Sequence, residues 1–136
     1  MNNPVISILF LSMSLFACTN KTETESRKAG QEIFFEAANY NFGDIEEGMD
    51  TIFTIEFKNI GEKPILVNRV RSSCGCTVPT WSKEPVEPGK KGIIQVKYNT
   101  QLPGSFSKRV TVYSTAANSP VTLYVKGKVL PKETTG

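Results

Sequence analysis

The sequence contains no histidine. That absence removes Ser-His-Asp and Cys-His nucleophile systems, His-ligated zinc and axial haem ligation by imidazole, because each depends on that ring. Cysteine is scarce, three in 136 residues, and tryptophan occurs once. So few cysteines exclude a dense disulfide framework. An antibody-type domain is excluded too, because it bridges its sheets with two cysteines far apart in sequence, whereas Cys74 and Cys76 sit together here. No apolar run reaches the roughly 20 residues that a membrane-spanning helix needs. No dinucleotide fingerprint, phosphate-binding glycine loop or repeat of fixed period occurs. The charge is nearly balanced, 16 basic against 13 acidic residues for a net +3, and the cations are spread along the chain without an aromatic-and-basic stripe. Nucleic acid is therefore not an expected partner. Neither an enzyme nor a cofactor is expected.

What is present begins with an address. Residues 5–16 form an apolar run of about a dozen residues, the length of a signal-peptide core. The run ends in Leu15-Phe16-Ala17-Cys18, followed at once by polar residues. This resembles a bacterial lipobox, which implies removal of residues 1–17 as a lipoprotein signal peptide and lipidation of Cys18. Lipid on Cys18 would make the membrane a partner, with two or three acyl chains acting together as the anchor. The expected location is the bacterial cell envelope, at the outer membrane on its periplasmic or surface face. Residues 18–31 read as the lipidated cysteine and a polar tether of Thr, Ser, Glu and Lys. The remaining divisions are a folded domain over 32–131 and a short tail over 132–136.

Within 32–131 the apolar residues recur with period two. Phe53, Ile55 and Phe57 alternate with Thr54, Glu56 and Lys58; Ile94, Val96 and Tyr98 with Ile93, Gln95 and Lys97; Val121, Leu123, Val125 and Val129 with Thr122, Tyr124, Lys126 and Lys128. Each pattern predicts a strand with one buried face and one wet face. Shorter candidates cover 32–37, 41–45, 65–70 and 106–114. Turn chemistry separates them, as at Glu87-Pro88-Gly89-Lys90 and Asn118-Ser119-Pro120. Seven strands at roughly 10-residue spacing predict an all-β, immunoglobulin-like seven-stranded sandwich.

Ser73-Cys74-Gly75-Cys76-Thr77-Val78-Pro79-Thr80-Trp81 and the turn at Pro88-Gly89 form a recognisable pattern with flanking matches. Upstream lie Asn41-Phe42-Gly43-Asp44 and Phe57-Lys58-Asn59-Ile60-Gly61; downstream lie Val96-Lys97-Tyr98-Asn99 and Leu123-Tyr124-Val125-Lys126-Gly127. Over about 33–129 the chain resembles the bacterial domain-of-unknown-function family numbered 1573. The resemblance implies an immunoglobulin-type sandwich and the envelope-lipoprotein setting frequent in the Bacteroidota, and it implies no activity. The function expected is a non-catalytic interaction or structural module with an envelope protein or glycan as partner.

The cysteine pair leaves several chemistries open. In an extended strand Cys74 and Cys76 would point to one face with their Cβ atoms too far apart for a disulfide, and a turn at Gly75 would close the gap. The pair then reads as a short structural disulfide or as buried thiols. Alternatives are a soft-metal site for Cu(I), thiol–disulfide exchange assisted by Arg69 and Arg71, or a bridge to another chain. Trp81 reads either as a cover over the thiol segment and one end of the sandwich or as a partner-binding anchor. Asp44, Glu46 and Glu47 match no calcium loop and read as a solvated turn.

Overall fold

The computed structural model describes residues 30–133. The expected signal segment, Cys18 and all but the last residues of the tether lie outside them. Eight strands follow one another: β1 (Ile33–Phe35), β2 (Asn39–Glu46), β3 (Thr51–Asn59), β4 (Val67–Ser72), β5 (Thr77–Trp81), β6 (Lys91–Tyr98), β7 (Gly104–Ser114) and β8 (Val121–Leu130). They form two four-stranded sheets, ordered β1-β3-β6-β5 and β2-β8-β7-β4. All pairings are antiparallel except β2 with β8, which run parallel.

The all-β sandwich is as the alternation predicts, with eight strands in place of seven. The additional strand is β5, whose Pro79 and Cys-X-Cys approach mask a strand signal. Proline is tolerated there because β5 lies at the sheet edge, bonded to β6 alone, so the missing N–H breaks no second ladder. The segment 65–70 also shifts. Ile65 makes an isolated bridge with Val86, and β4 starts two residues later, at Val67.

The alternation is realised in the core. Ile55, Ile94, Val96, Leu123, Val125 and Val129 are buried between the sheets, while Thr54, Glu56, Gln95, Lys97, Thr122 and Lys126 face solvent. Burying such a side chain contributes about 1.5–3 kcal/mol, so this layer supplies the main drive to fold. Aromatic rings fill what the aliphatic residues leave: Tyr98 stacks on Phe106 at 3.8 Å and Phe42 on Phe53 at 3.6 Å. Two glycines make room for rings. A Cβ at Gly92 would lie 2.3 Å from the Phe57 ring, and one at Gly127 would lie 2.7 Å from that of Phe106. A bulge in β2 between Asn41 and Asp44 places Phe42 against Phe53, with Gly43 at φ +71° and its N–H donated to Asn41 Oδ1.

Among the described residues one polar side chain has no exposure at all. Asn59, at the end of β3, donates through Nδ2 to the carbonyls of Lys63 and Val86, both at 2.8 Å, and accepts from the Gly61 N–H at 2.9 Å. Its own N–H donates to Lys90 O and its carbonyl accepts from Gly89. The amide thus joins the turn at 60–64 to the loop at 86–90. Gly61 must lack a side chain because a Cβ there would sit 2.4 Å from the carbonyl of Gly30.

Asn59→Ala leaves the Lys63 carbonyl and the Gly61 N–H without their protein partner and removes one of the two hydrogen bonds to Val86 O, which still accepts from the Ile65 N–H. Its expected cost is about 3 kcal/mol in urea unfolding, whereas exposed Thr54→Ala should shift stability by no more than about 0.5 kcal/mol.

Candidate functional site

The two sheets exchange chain at the segment between β4 and β5, where the cysteine pair lies. β4 stops at Ser72, and the ladder with β7 is completed by Ser73, whose N–H donates to Arg109 O and whose Oγ accepts from Arg109 N–H. Thr77 N–H reaches back to Cys74 O, closing a turn. Across it the Cys74 and Cys76 sulfurs are joined in a disulfide, with the Cα atoms 5.3 Å apart. A fully extended Cys-X-Cys would hold them about 6.6–6.8 Å apart, so the turn brings the pair into disulfide range. Gly75 contributes no unusual backbone. Its φ is not positive and nothing lies within 4 Å of where a Cβ would stand, so the turn is set by the hydrogen bonds around it.

Both cysteines are half-buried, and beneath them Thr77 is buried with its hydroxyl 3.7 Å from Cys74 Sγ and 3.9 Å from Cys76 Sγ. In the disulfide neither sulfur is a thiolate. Among the described residues no group of three Cys, Asp or Glu side chains assembles here or elsewhere that could hold a metal. Arg69 is engaged over the Tyr113 ring at 4.5 Å. Arg71 is exposed on β4, in register with Thr111.

Trp81 closes the same side of the sandwich. Its indole N–H donates to Val67 O at 2.9 Å, linking the last residue of β5 to the first of β4, and Lys83 Nζ lies 3.3 Å from the ring centroid. The ring packs on the core and is only partly exposed. These contacts seal the edge between β4 and β5; Trp81 stands at the end of β5 away from the cysteines, so it does not lie over the thiol segment as expected.

A second set of residues gathers at the end where β5 begins. Thr51, Tyr98 and Thr77 share one register row, and Asn99 N–H donates to Cys76 O at 2.8 Å, tying the 99–103 loop to the disulfide turn. The loop before β3 joins them, since Gly48 N–H donates to Thr100 O and the Thr100 hydroxyl to Met49 O at 2.6 Å. Three loops are therefore held as one surface. On it stand four exposed apolar side chains: Met49 (53% exposed), Ile52 (55%), Val78 (55%) and Leu102 (61%). Ile52 and Val78 flank Lys97 in one row of the outer face, and Lys97 pairs with Asp50 at 2.5 Å. Sequence reasoning missed these four. Its available signal was phase, since Ile52 and Val78 are apolar at positions whose neighbours face water.

The chain enters at the opposite end. Gly30 O accepts from the N–H groups of Glu62 and Lys63, and Gln31 O from that of Ala117. The apolar loops therefore lie at the end of the sandwich away from the segment leading back to Cys18.

A family model described as "Protein of unknown function (DUF1573)" matches residues 33–129. No curated protein matches the sequence. Among solved structures, a protein of unknown function from Porphyromonas gingivalis W83 is similar, with a TM-score of 0.67 and 13% identity. The match covers 79% of this chain and 51% of that one, so this chain spans about half of its length. The ASH/PapD-like domain 7 of human CEP192 matches with a TM-score of 0.62 and 12% identity, over 97% of this chain and 100% of that one. The CupB2 chaperone of Pseudomonas aeruginosa matches with a TM-score of 0.52 and 12% identity, over 72% of this chain and 55% of that one. At these identities the likeness is one of fold.

Because the cysteines are only two residues apart, their disulfide closes a very short loop, and the chain-entropy term it contributes is about 1.6 kcal/mol. Cys74→Ser/Cys76→Ser should lower stability by about that amount in denaturant unfolding and leave the domain folded. Trp81→Phe, which keeps a ring and strands Val67 O, should cost about 1–2 kcal/mol in the same measurement.

Proposed function

The chain belongs to the DUF1573 family, and from that premise we propose that it is a non-catalytic interaction module of the bacterial envelope, carried on lipid attached to Cys18. The observation that carries this reading is the apolar end formed by Met49, Ile52, Val78 and Leu102. Exposed apolar residues scattered singly need no explanation, but Met49 and Leu102 on mutually hydrogen-bonded loops, with Ile52 and Val78 in the adjoining row of β3 and β5, form a surface suited to a protein partner. Preorganised loops lose less conformational freedom on binding than mobile ones, so more of the contact energy appears as affinity. The entry of the chain at the opposite end supports the anchor reading, because a tether from Cys18 would leave these loops facing away from the membrane. The PapD-like fold supports the interaction reading by analogy, since the similar CupB2 protein is a chaperone.

A second reading is thiol–disulfide exchange at Cys74 and Cys76. It is favoured by one observation, the half-exposure of the bond beside the Thr77 hydroxyl, which could donate to a thiolate left on reduction. The displayed-loop reading accounts for more of the surface.

A photo-crosslinking residue in place of Leu102 should give one discrete adduct in intact cells, and the same residue in place of Glu87, at the other end, should give none. Val78→Glu/Leu102→Glu should abolish the adduct formed from position 49, and the cysteine-to-serine pair should weaken it by less than about threefold, under 0.7 kcal/mol. Adducts that disappear with the cysteines and persist with the charged substitutions would favour the thiol reading. Cys18→Ala should remove lipid labelling and membrane retention; retention without it would overturn the anchor.

A further inference from the structure

The outer faces of the two sheets differ in how their charges are neutralised. On the β1-β3-β6-β5 sheet Lys91 pairs with Glu56 at 2.8 Å and Lys97 with Asp50, and Lys58 alone of the strand cations on that face forms no ion pair with a described residue. The hydrogen bond that Lys91 donates to Glu56, together with the charge of that carboxylate, raises the pKa of Lys91 above the usual lysine value. On the β2-β8-β7-β4 sheet five exposed cations, Arg69, Arg71, Arg109, Lys126 and Lys128, form no ion pair with any described residue.

Their order on the sheet is regular. Arg69 lies in register with Tyr113, Arg71 with Thr111 and Thr122, Arg109 with Tyr124, Lys126 with Ser107 and Lys128 with Ser105. Successive rows are two residues apart, so each row carries one cation. The line crosses the sheet obliquely, from β4 through β7 to β8. Two residues of antiparallel strand advance about 6.8 Å, so the line runs roughly 27 Å along the strands. Carboxylates on this face are confined to the β2 rim, where Asp44 is in register with Lys128 and Glu46 with Leu130. Between the cations stand hydroxyls, and Tyr124, 41% exposed, stands beside Arg109.

We propose that this line of five cations is a binding track for a linear acidic polysaccharide, a glycan with a carboxylate repeating along its chain. A single file of unpaired charges is complementary to a charged polymer, whereas a bilayer surface or a compact acidic protein requires no such line. The hydroxyls of Ser105, Ser107 and Thr122 can bond sugar hydroxyls, and the exposed Tyr124 ring offers an apolar face to a sugar ring. The choice of glycan over single-stranded nucleic acid rests on the export reading of residues 5–16. Tyr113 agrees with it, because Arg69 already covers that ring, which leaves no row of stacking platforms for successive bases. This surface is separate from the apolar loops, so failure of one proposal leaves the other standing.

The test uses the full chain in detergent with polygalacturonate as probe, and with dextran, an oligothymidylate and phosphatidylglycerol vesicles as comparisons. Polygalacturonate should bind, and its affinity should fall at least tenfold between 50 and 300 mM salt, about 1.4 kcal/mol by the usual conversion. Arg71→Glu/Arg109→Glu/Lys126→Glu should lower affinity at least tenfold, Lys substitutions at the two arginines should retain it within about threefold, and Lys91→Glu/Lys97→Glu on the other sheet should leave it unchanged. All these side chains are exposed, and an unchanged thermal midpoint would show that the variants fold. Equal binding of dextran, insensitivity to the triple substitution, or tighter binding of the oligothymidylate or the vesicles would each overturn the proposal.

Discussion

The buried amide of Asn59 is the constraint around which the sandwich is organised. A side chain with no exposure to water must have its polar atoms satisfied inside the protein, because an unpartnered buried group costs about 1–3 kcal/mol. Here the partners come from two places, Gly61 and Lys63 in the turn after β3 and Val86 in the loop before β6. The amide is therefore satisfied only when the turn after β3 and the loop before β6 are both in place. Gly61 then leaves room for the incoming chain at residues 30–32, which crosses where a side chain would stand. The short β1 depends on the same corner, and Asn118 reinforces it by exchanging two hydrogen bonds with the backbone of Ile33, as a strand partner would.

With one end closed in this way, the other is free to carry loops. The segment 73–76 transfers the chain from one sheet to the other, and its hydrogen bonds to Arg109 and Asn99 join it to both. The disulfide sits within that framework. Closing so short a loop removes little chain entropy, so its main effect is local shape at Cys74 and Cys76. Trp81 and Val67 close the adjacent edge, so β5, which ends a sheet, is tied to β4, which ends the other. The apolar tips at Met49 and Leu102 are held by backbone contacts rather than by their own side chains, which leaves those side chains exposed.

Much of this fold was legible in the chain. The alternation around Phe53, Ile94 and Leu123 predicts strands and buried faces because successive residues of a strand point to opposite sides. β5 was hidden because Pro79 reads as a breaker, and only the edge position of the strand makes it harmless. Of the candidate site, the cysteine pair was visible as spacing. Whether it could close depended on a turn fixed by Ser73, Thr77 and Asn99, and the last of these is distant in sequence. The collected apolar end was not visible, because its four members come from three segments, each showing one or two unremarkable residues.

The sequence by itself determined which residues face the core, that the domain is all-β, and the absence of imidazole chemistry, since local alternation and composition need no knowledge of neighbours. It also carried, as contiguous residues, the segment Leu15-Phe16-Ala17-Cys18 that resembles a lipobox. Tertiary structure alone decided the pairing of the sheets, the burial of Asn59 and the surface pattern of charge. The cations from Arg69 to Lys128 look scattered when read along the chain and form a line only after β4, β7 and β8 pair in register. The physical reason is that a side chain's direction is set by its own strand, while its neighbours are set by hydrogen bonds to strands far away in the chain.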